Sequence, residues 1–305
     1  MASRSEGARV LVTGRSGFTG HYVEAALKAA GYLVYDAENS GLTFDLTQAA
    51  SVEAVLTQVR PDYVIHLAAL SFVAHKDAAA FYAVNTVGTT NLLDGILSTG
   101  LKPRRVVIAS SANVYGNATV EPITESTPPA PVNHYAASKV AMESMVRTYA
   151  ERLSIVMTRP FNYTGVGQTA SFLVPKMVAH FAERRPIIEL GNLDVVRDFS
   201  DVRTVAQAYV RLLEADVPGG VTNLCSGVGR SLRWILEQLS AISGQKLEIR
   251  VNPEFVRASE VHRLVGSSST MEAALGPLPF RDFRDTLAWM LEAARTRPSA
   301  TSGAR

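Results

Sequence analysis

Two side chains that could move a proton together, Tyr135 and Lys139, are four residues apart in a stretch with a helical pattern. This spacing places both on one face of a helix, one turn apart. An ammonium group beside a phenol favours the phenolate, so we expect Lys139 to lower the pKa of Tyr135 well below ~10. Such a tyrosine is a general acid for a carbonyl oxygen. A buried tyrosine and a solvated lysine can share this spacing too, so the prediction needs support elsewhere in the chain.

A glycine-rich segment near the start of the chain supplies that support. Residues 14–20 read Gly-Arg-Ser-Gly-Phe-Thr-Gly, between a strand-like stretch (9–13) and a helical one (18–30). Glycines allow a tight turn and let backbone N–H groups approach a pyrophosphate, and the helix that follows presents its positive end. This context predicts NADPH or NADH as the cofactor. The predicted binding residues are Gly14, Arg15, Ser16, Gly17, Phe18, Thr19 and Gly20.

The choice between the two dinucleotides stays open at this point. An acidic residue after the second strand binds a ribose 2′-hydroxyl, whereas an arginine accepts a 2′-phosphate. Asp36 and Glu38 lie at that point and favour NAD, while Arg15 in the glycine segment favours NADP.

The elements that must position these residues alternate along the first half. Strand-like stretches at 9–13, 32–35, 63–67 and 105–109 alternate with helical stretches at 18–30, 51–59 and 80–97. Strands that are apolar on both faces and separated by helices predict an α/β fold, a doubly wound parallel sheet of the Rossmann type. Chemistry in such a sheet lies beyond the carboxyl ends of the strands, where Gly14, Ala68 and Ser110 fall.

The pattern changes near residue 160, after which proline and glycine become frequent. We therefore expect a Rossmann domain over residues 1–160, a smaller mixed α/β domain that caps the crevice over 161–295, and a flexible tail over 296–305. Some segments of the second part are expected to cross back to the sheet. The helical stretches are 173–184, 202–214, 232–243 and 281–294, and the strand-like ones are 187–190, 221–225 and 247–251.

Composition narrows the class of protein. The 305 residues are 47% hydrophobic and carry a formal charge of only +2, without a basic stripe that would indicate nucleic acid or a membrane surface. No apolar run reaches the ~20 residues of a membrane span, and the start of the chain lacks a hydrophobic signal core, so we expect a cytoplasmic protein. Cys225 and His66 lie in strand-like stretches and read as core residues. The six histidines lack ligand spacing, so no metal is expected.

Taken together, these motifs resemble the extended short-chain dehydrogenases/reductases that act on nucleotide sugars, over nearly the full length. The motifs are residues 14–20, 45–46 (Asp-Leu), 66–69 (His-Leu-Ala-Ala), 85–93, 110–116 (Ser-Ser-Ala-Asn-Val-Tyr-Gly), 135–139 and 159–162 (Arg-Pro-Phe-Asn). The resemblance implies catalytic roles for Ser111, Tyr135 and Lys139, and further cofactor contacts from Asp45, Leu46, Leu67, Ala68, Ala69, Asn85, Tyr135, Lys139 and Pro160. It also implies a homodimer.

The second half is similar to one group of that family, the reductases of GDP-4-keto-6-deoxy-D-mannose. The similar segments are residues 159–168, 194–202, 223–227 and 257–260. The resemblance implies that Arg197 and Arg257 hold the substrate diphosphate, for which an arginine fork is well suited. The other implied substrate contacts are Ser71, Ser111, Asn113, Tyr135, Asn162, Val174, Lys176 and Glu260.

The reaction is narrowed by two residues. Related dehydratases carry a proton-transferring carboxylate directly after the active-site hydroxyl, where this chain has Ala112 and Asn113, so sugar dehydration is not expected. The expected function is NAD(P)H-dependent reduction of the C4 ketone of a nucleotide-linked 4-keto-6-deoxyhexose, with GDP-4-keto-6-deoxy-D-mannose favoured as the substrate. A dTDP-linked substrate, a nucleotide-sugar 4-epimerase and a non-catalytic dinucleotide sensor remain alternatives, and the stereochemistry at C4 stays open.

Overall fold

A computed structural model describes residues 7–36, 41–42, 44–71, 77–217, 220–255 and 261–296. The α-helices are α1 (Phe18–Ala29), α2 (Ala49–Val59), α3 (Ala78–Phe81), α4 (Gly88–Ser98), α5 (His134–Arg147), α6 (Leu173–Ala182), α7 (Val202–Leu212), α8 (Leu232–Ser243), α9 (Ser269–Leu275) and α10 (Phe283–Thr296). The strands are β1 (Arg9–Thr13), β2 (Leu33–Tyr35), β3 (Tyr63–His66), β4 (Arg105–Ala109), β5 (Ile155–Pro160), β6 (Asn162–Thr164), β7 (Ile187–Leu190), β8 (Val196–Asp201), β9 (Val221–Leu224), β10 (Gly229–Ser231), β11 (Glu248–Val251) and β12 (Arg263–Leu264).

The main sheet has the strand order β2-β1-β3-β4-β5-β9 in the described residues, with every neighbouring pair parallel. Its central strands bury both faces, because β3 is fully buried and β4 is buried at Val106, Val107 and Ile108. One face packs against α1 and α7, and the other against α2, α4 and α5. This layering confirms the predicted α/β doubly wound class.

The second part of the chain forms its own small sheets and core. Strand β8 pairs with β6, β10 and β12, while β7 pairs with β11. Helices α6, α8 and α10 enclose an apolar cluster around Phe199, Ile235 and Phe283. Strand β9 and helix α7 lie beyond residue 160, but they pack in the main sheet and on its face.

Several elements differ from the sequence-based prediction. The helix expected over 80–97 exists, but a π-helical turn at Tyr82–Val87 separates α3 from α4. Strands β5 and β8 and helix α9 were not predicted, because each spans only six or seven residues, which is too short to define a period. None of the helices in the described part of the chain is both long and apolar enough to span a membrane.

Candidate active site

The glycine loop follows β1 and packs directly against the loop after β3. Gly14 has a φ of 74°, and a Cβ there would lie 2.7 Å from the backbone nitrogen of Ala68. A Cβ on Gly20 would lie 2.3 Å from the carbonyl oxygen of Gly14, so only glycine allows α1 to pack this closely. Helix α1 begins after Gly17, which has no side chain to cap it. This bare helix start within a tight loop fits the phosphates of a dinucleotide.

The stretch after β3 is held in place by Thr13 and Asn85. Ala68 N–H donates to Thr13 Oγ1 at 3.3 Å. Leu70 makes two backbone hydrogen bonds to the Asn85 side chain: its N–H donates to Asn85 Oδ1 at 2.9 Å, and its carbonyl accepts from Asn85 Nδ2 at 3.1 Å. Asn85 is fully buried and also donates to Ser138 Oγ at 3.0 Å. These bonds hold Asn85 between the loop after β3 and α5. Its predicted contact with the cofactor stays a prediction.

The three predicted catalytic residues come together in the structure. The Asn133 side chain caps α5 by accepting from Ala136 N–H at 2.8 Å, which places Tyr135 and Lys139 on the inward face. The Ser111 hydroxyl, at the start of a 3₁₀ turn after β4, accepts from Asn113 N–H at 3.2 Å and lies close enough to Tyr135 to act on its pKa. A carbonyl oxygen set against the tyrosine would therefore also lie near the serine.

The electrostatics of this group differ from the prediction. Burial raises the pKa of Tyr135 to about 12, with the nearby Ser111 hydroxyl acting in the opposite direction. Burial lowers the pKa of Lys139 to about 8, opposed by Glu143, and its ammonium donates to the Ala109 carbonyl at 2.8 Å. The prediction that Lys139 lowers the pKa of Tyr135 is thus wrong for the protein by itself. The phenol keeps its proton at neutral pH and has one to give.

His66 is a core residue, as predicted. Its Nδ1 lies 2.6 Å from Thr13 Oγ1, and its Nε2 lies 2.9 Å from Thr89 Oγ1. Since Thr89 donates its own proton to the Asn85 carbonyl, its oxygen accepts from Nε2–H, which fixes the neutral tautomer. Burial, and then the nearby Lys139, lower the pKa of His66 to about 3. Cys225 is also buried, as predicted.

A buried ion pair near Lys139 has no counterpart in the predictions. Glu143 and Arg159 join through Oε2 and Nη2 at 2.6 Å, and both side chains are 2% exposed. Ser110 Oγ donates to the other Glu143 oxygen at 2.6 Å. The sequence did carry one signal for Glu143. It lies four residues after Lys139, as Lys139 lies four residues after Tyr135, so all three share one face of the helix.

A second unpredicted contact joins the glycine loop to the second half. The ring of Tyr163 stacks on Phe18 with centroids 6.3 Å apart. Its hydroxyl lies 2.8 Å from Thr19 Oγ1, and the neighbouring Tyr22 hydroxyl donates to the Val166 carbonyl at 2.6 Å. Residues 163–166 therefore rest on the first two turns of α1.

The two residues that point to opposite dinucleotides are paired with each other. Arg15 donates through Nε to Asp36 and through Nη1 to Glu24, the latter at 2.9 Å. Burial opposes the charge, but these two carboxylates raise the pKa of Arg15 above its usual value. Glu38 lies outside the described residues. The structure thus pairs the residue predicted to favour NADP with a residue predicted to favour NAD.

Other predicted site residues differ in their exposure. Asn162, Ser71 and Asp45 are exposed, while Pro160, Lys176 and Arg197 are half-buried. Leu46 and Val174 are buried, and Val174 packs among the apolar side chains of the second part, so its predicted contact with the substrate stays a prediction. Arg257 and Glu260 lie outside the described residues.

Arg197 and Lys176, two of the predicted substrate contacts, have partners of their own. Arg197 Nη1 donates to the carbonyls of Val196 and His262 at 2.9 and 3.2 Å. Lys176 Nζ donates to the Glu189 carbonyl at 2.9 Å and lies 4.7 Å from the Phe255 ring centroid. Both use backbone oxygens, so their charge is not neutralised by those contacts, and their roles toward a substrate stay predictions.

Comparison with known proteins places this geometry in a family. A family model described as the NAD dependent epimerase/dehydratase family matches residues 10–225. GDP-6-deoxy-D-talose 4-dehydrogenase from Aggregatibacter actinomycetemcomitans is 39% identical over 91% of this chain and 93% of that protein. GDP-6-deoxy-D-mannose reductase from Pseudomonas aeruginosa is 35% identical over 89% of this chain and 92% of that protein.

A solved structure agrees with the sequence comparison. RMD from Pseudomonas aeruginosa, complexed with NADPH, matches with a TM-score of 0.87 and 33% identity over 96% of this chain and 99% of that one. The resemblance drawn from the motifs is confirmed: the chain belongs to the NAD dependent epimerase/dehydratase family, whose members are extended short-chain dehydrogenases/reductases.

Proposed function

We propose that the chain transfers hydride between NAD(P)H and C4 of a GDP-linked 6-deoxyhexose, with reduction of GDP-4-keto-6-deoxy-D-mannose as its principal reaction. The observation that carries this proposal is the grouping of Ser111, after β4, with Tyr135 and Lys139 of α5, at the same edge of the parallel sheet as the glycine loop after β1. Two relatives above 30% identity support the substrate class, because both are named for a GDP-linked 6-deoxyhexose. Talose and mannose are C4 epimers, so oxidation at C4 of either 6-deoxy sugar leaves the same ketone.

The residues of the chain would divide the work as follows. The nicotinamide supplies the hydride. Tyr135, which keeps its proton at neutral pH, gives that proton to the C4 oxygen as negative charge develops there. Ser111 donates a hydrogen bond to the same oxygen and fixes the carbonyl. Lys139 holds the nicotinamide ribose hydroxyls and places a positive charge near the phenolate that Tyr135 leaves behind.

The proposal is tested by mixing the protein with NADH or NADPH and GDP-4-keto-6-deoxy-D-mannose, and by following the absorbance of the reduced nicotinamide. A stoichiometric fall in absorbance supports the proposal, and a flat trace with bound dinucleotide points to the sensor alternative. The same assay with a dTDP-linked 4-keto-6-deoxyhexose tests the nucleotide. An epimerase would interconvert C4 epimers with added oxidised cofactor and without net change in absorbance.

The product decides between two stereochemical outcomes. The 39% identical relative is named for the talose configuration and the 35% identical one for the mannose configuration. Proton NMR of the isolated product separates them, because H4 is axial in one pyranose and equatorial in the other, and its couplings to H3 and H5 differ. The manno product is expected, and a talo product would place the chain with the dehydrogenase.

A further inference from the structure

Three consecutive residues at the end of β4 face three successive turns of α5, and two of the three pairs are joined by hydrogen bonds. The pairs are Ser111 with Tyr135, Ala109 with Lys139, and Ser110 with Glu143. The first two pairs contain the proposed catalytic residues, and the third lies directly behind them. Helix α5 is therefore bonded to the end of β4 at Lys139, and again one turn later at Glu143.

The third contact is buried and charged. Ser110 is 4% exposed and Glu143 is 2% exposed. Glu143 Oε1 accepts from both Ser110 Oγ at 2.6 Å and Arg159 Nε at 2.9 Å, and Oε2 accepts from Arg159 Nη2 at 2.6 Å. A charge buried this deeply is costly unless it is paired, and hydrogen bonds to charged groups are the strong ones. Glu143 therefore has little freedom to move.

Arg159 anchors the carboxylate to the sheet. It belongs to β5, the neighbour of β4, and its Nη1 donates to the Tyr115 hydroxyl at 2.9 Å and to the Glu125 carbonyl at 3.2 Å. Glu143 thus joins α5 to the ends of two adjacent strands. A rotation of the helix that carried Tyr135 away from Ser111 would have to break these bonds.

We propose that Glu143 is a positioning residue for the reaction, which holds the Tyr135 and Lys139 face of α5 against the end of β4 through Ser110 and Arg159. This inference rests on the proposed function for its kinetic consequence. A buried ion pair that served stability alone would not need to affect turnover. Small displacements of catalytic groups, by contrast, reduce turnover strongly.

The test uses Ser110→Ala, which removes one bond to Glu143 and leaves the ion pair intact. Ser144→Ala is the matched control, because the Ser144 hydroxyl donates only to the Val140 carbonyl of its own helix at 3.0 Å. With NAD(P)H and the GDP-linked keto sugar, Ser110→Ala is expected to lower kcat about tenfold, with KM for the sugar and Kd for the dinucleotide changed less than about threefold. Ser144→Ala is expected to stay within about twofold of the unaltered protein in all three.

Glu143→Gln adds a second measurement, the pH dependence of kcat/KM, which a purely structural role of Glu143 would not change. Glu143 is the group that raises the pKa of Lys139 against the effect of burial. Its neutralisation should move the high-pH fall in kcat/KM to lower pH, whereas Ser110→Ala should leave that fall where it is. If Glu143→Gln does not fold because Arg159 loses its partner, Ser110→Ala decides the question.

Two outcomes separate this inference from the proposed function. If the unaltered protein turns over no nucleotide sugar, the proposed function fails. Hydrogen exchange of the α5 amides without substrate then tests the attachment, and faster exchange over residues 135–143 in Ser110→Ala than in Ser144→Ala supports it. Turnover in Ser110→Ala equal to that of the control, or unchanged exchange where turnover cannot be read, overturns the role of Glu143.

Discussion

At the scale of single residues, the same burial has opposite effects on the two partners of the proposed proton transfer. It keeps the proton on Tyr135, whose pKa rises to about 12, and it weakens the hold of Lys139 on its proton, whose pKa falls to about 8. Both shifts follow from the cost of charge in a low-dielectric interior. The phenol therefore keeps a proton that it can donate to a substrate oxygen.

Tyr135→Phe removes the proposed acid and leaves the ring in place. A positioned general acid contributes ~10²–10⁴-fold, so we expect kcat to fall by that factor while dinucleotide affinity changes little. Steady-state kinetics and fluorescence titration with NADH measure the two effects. Tyr149→Phe is the control, because it also removes one buried-phenol hydrogen bond, to Asp94 at 2.7 Å, at a distance from the site. Turnover in Tyr135→Phe within threefold of the control would exclude Tyr135 as the acid.

The pH dependence of activity should report Lys139. Its pKa of about 8 in the folded protein is below ~10.4 for an unperturbed lysine, so the ammonium is lost on raising the pH through 8. We expect kcat/KM for the dinucleotide to fall above about pH 8, by about tenfold per unit, because this parameter reports the free protein. Over the same range, from about 8 to 10.4, the free energy of unfolding should rise, since the unfolded chain binds the proton more tightly. A flat activity profile between pH 7 and 10 would show that the ammonium is not required.

At the scale of elements, the glycine loop and the loop after β3 act as one unit. Gly14 faces the Ala68 backbone, and Asn85 fixes Leu70 two residues later from within the π-helical turn. π-Helical turns are rare and tend to occur at functional sites. Asn85 lies within this π-helical turn and bonds from there to the backbone of the loop after β3.

Gly14→Ala tests this close approach, with Gly100→Ala as a matched control. Both glycines have a φ near +70°, but a Cβ on Gly14 would lie 2.7 Å from Ala68, while one on Gly100 would meet no atom within 4 Å. Backbone strain alone costs ~1–2 kcal/mol at either position. We therefore expect both variants to unfold more readily, but only Gly14→Ala to lose dinucleotide affinity, by more than about tenfold. Equal dinucleotide affinity in the two variants would contradict a role for this loop.

Tyr163→Phe tests the contact between α1 and the second half. It keeps the stacking on Phe18 and removes the bond to Thr19 at 2.8 Å. A typical hydrogen bond contributes ~0.5–1.5 kcal/mol, so the dissociation constant of NADH should rise by about two- to tenfold if α1 is held for its ligand by this bond. Isothermal titration without substrate measures the change. The expectation fails if affinity is unchanged while the free energy of unfolding falls by that amount.

At the scale of the whole molecule, residues on both sides of the predicted division near residue 160 share one core. Tyr209 and Leu212 of α7 and Leu224 of β9 are buried in the same cluster as Val10 and Val23 of the first half. The last strand of the main sheet, β9, is formed by residues 221–224. Contacts between distant segments thus complete the core that carries the glycine loop.

A fragment of residues 1–160 should therefore not fold cooperatively. The fragment lacks β9, which pairs with β5, and α7, which covers one face of the sheet. It therefore loses the apolar burial that these two elements provide. We expect the fragment to lack both the cooperative thermal transition, followed by circular dichroism, and the NADH binding that we expect of the full 305-residue protein. A fragment that unfolds cooperatively and binds NADH would demonstrate an independent domain.

Sequence patterns predicted the site better than its surroundings. The glycine loop and the Tyr135–Lys139 pair were found because each depends on neighbours within two helical turns. Glu143, Arg159 and Tyr163 were missed, because a charged residue in a helix or a tyrosine in a strand carries no sign of its partner. Asn85 and Val174 were assigned to ligands by resemblance, and packing shows what their side chains contact.

The amino-acid sequence by itself determined the alternation of strands and helices, the bare glycine turn before α1 and the common face of Tyr135 and Lys139, because backbone periodicity and steric limits act locally. Only the tertiary structure decided that Lys139 bonds to Ala109, that Arg15 pairs with Asp36, and that Tyr135 holds its proton more firmly than a free phenol. Those outcomes depend on burial and on charged groups brought together from separate parts of the chain. The energy of such an interaction depends on the distance between the groups in space and not on their separation in the sequence.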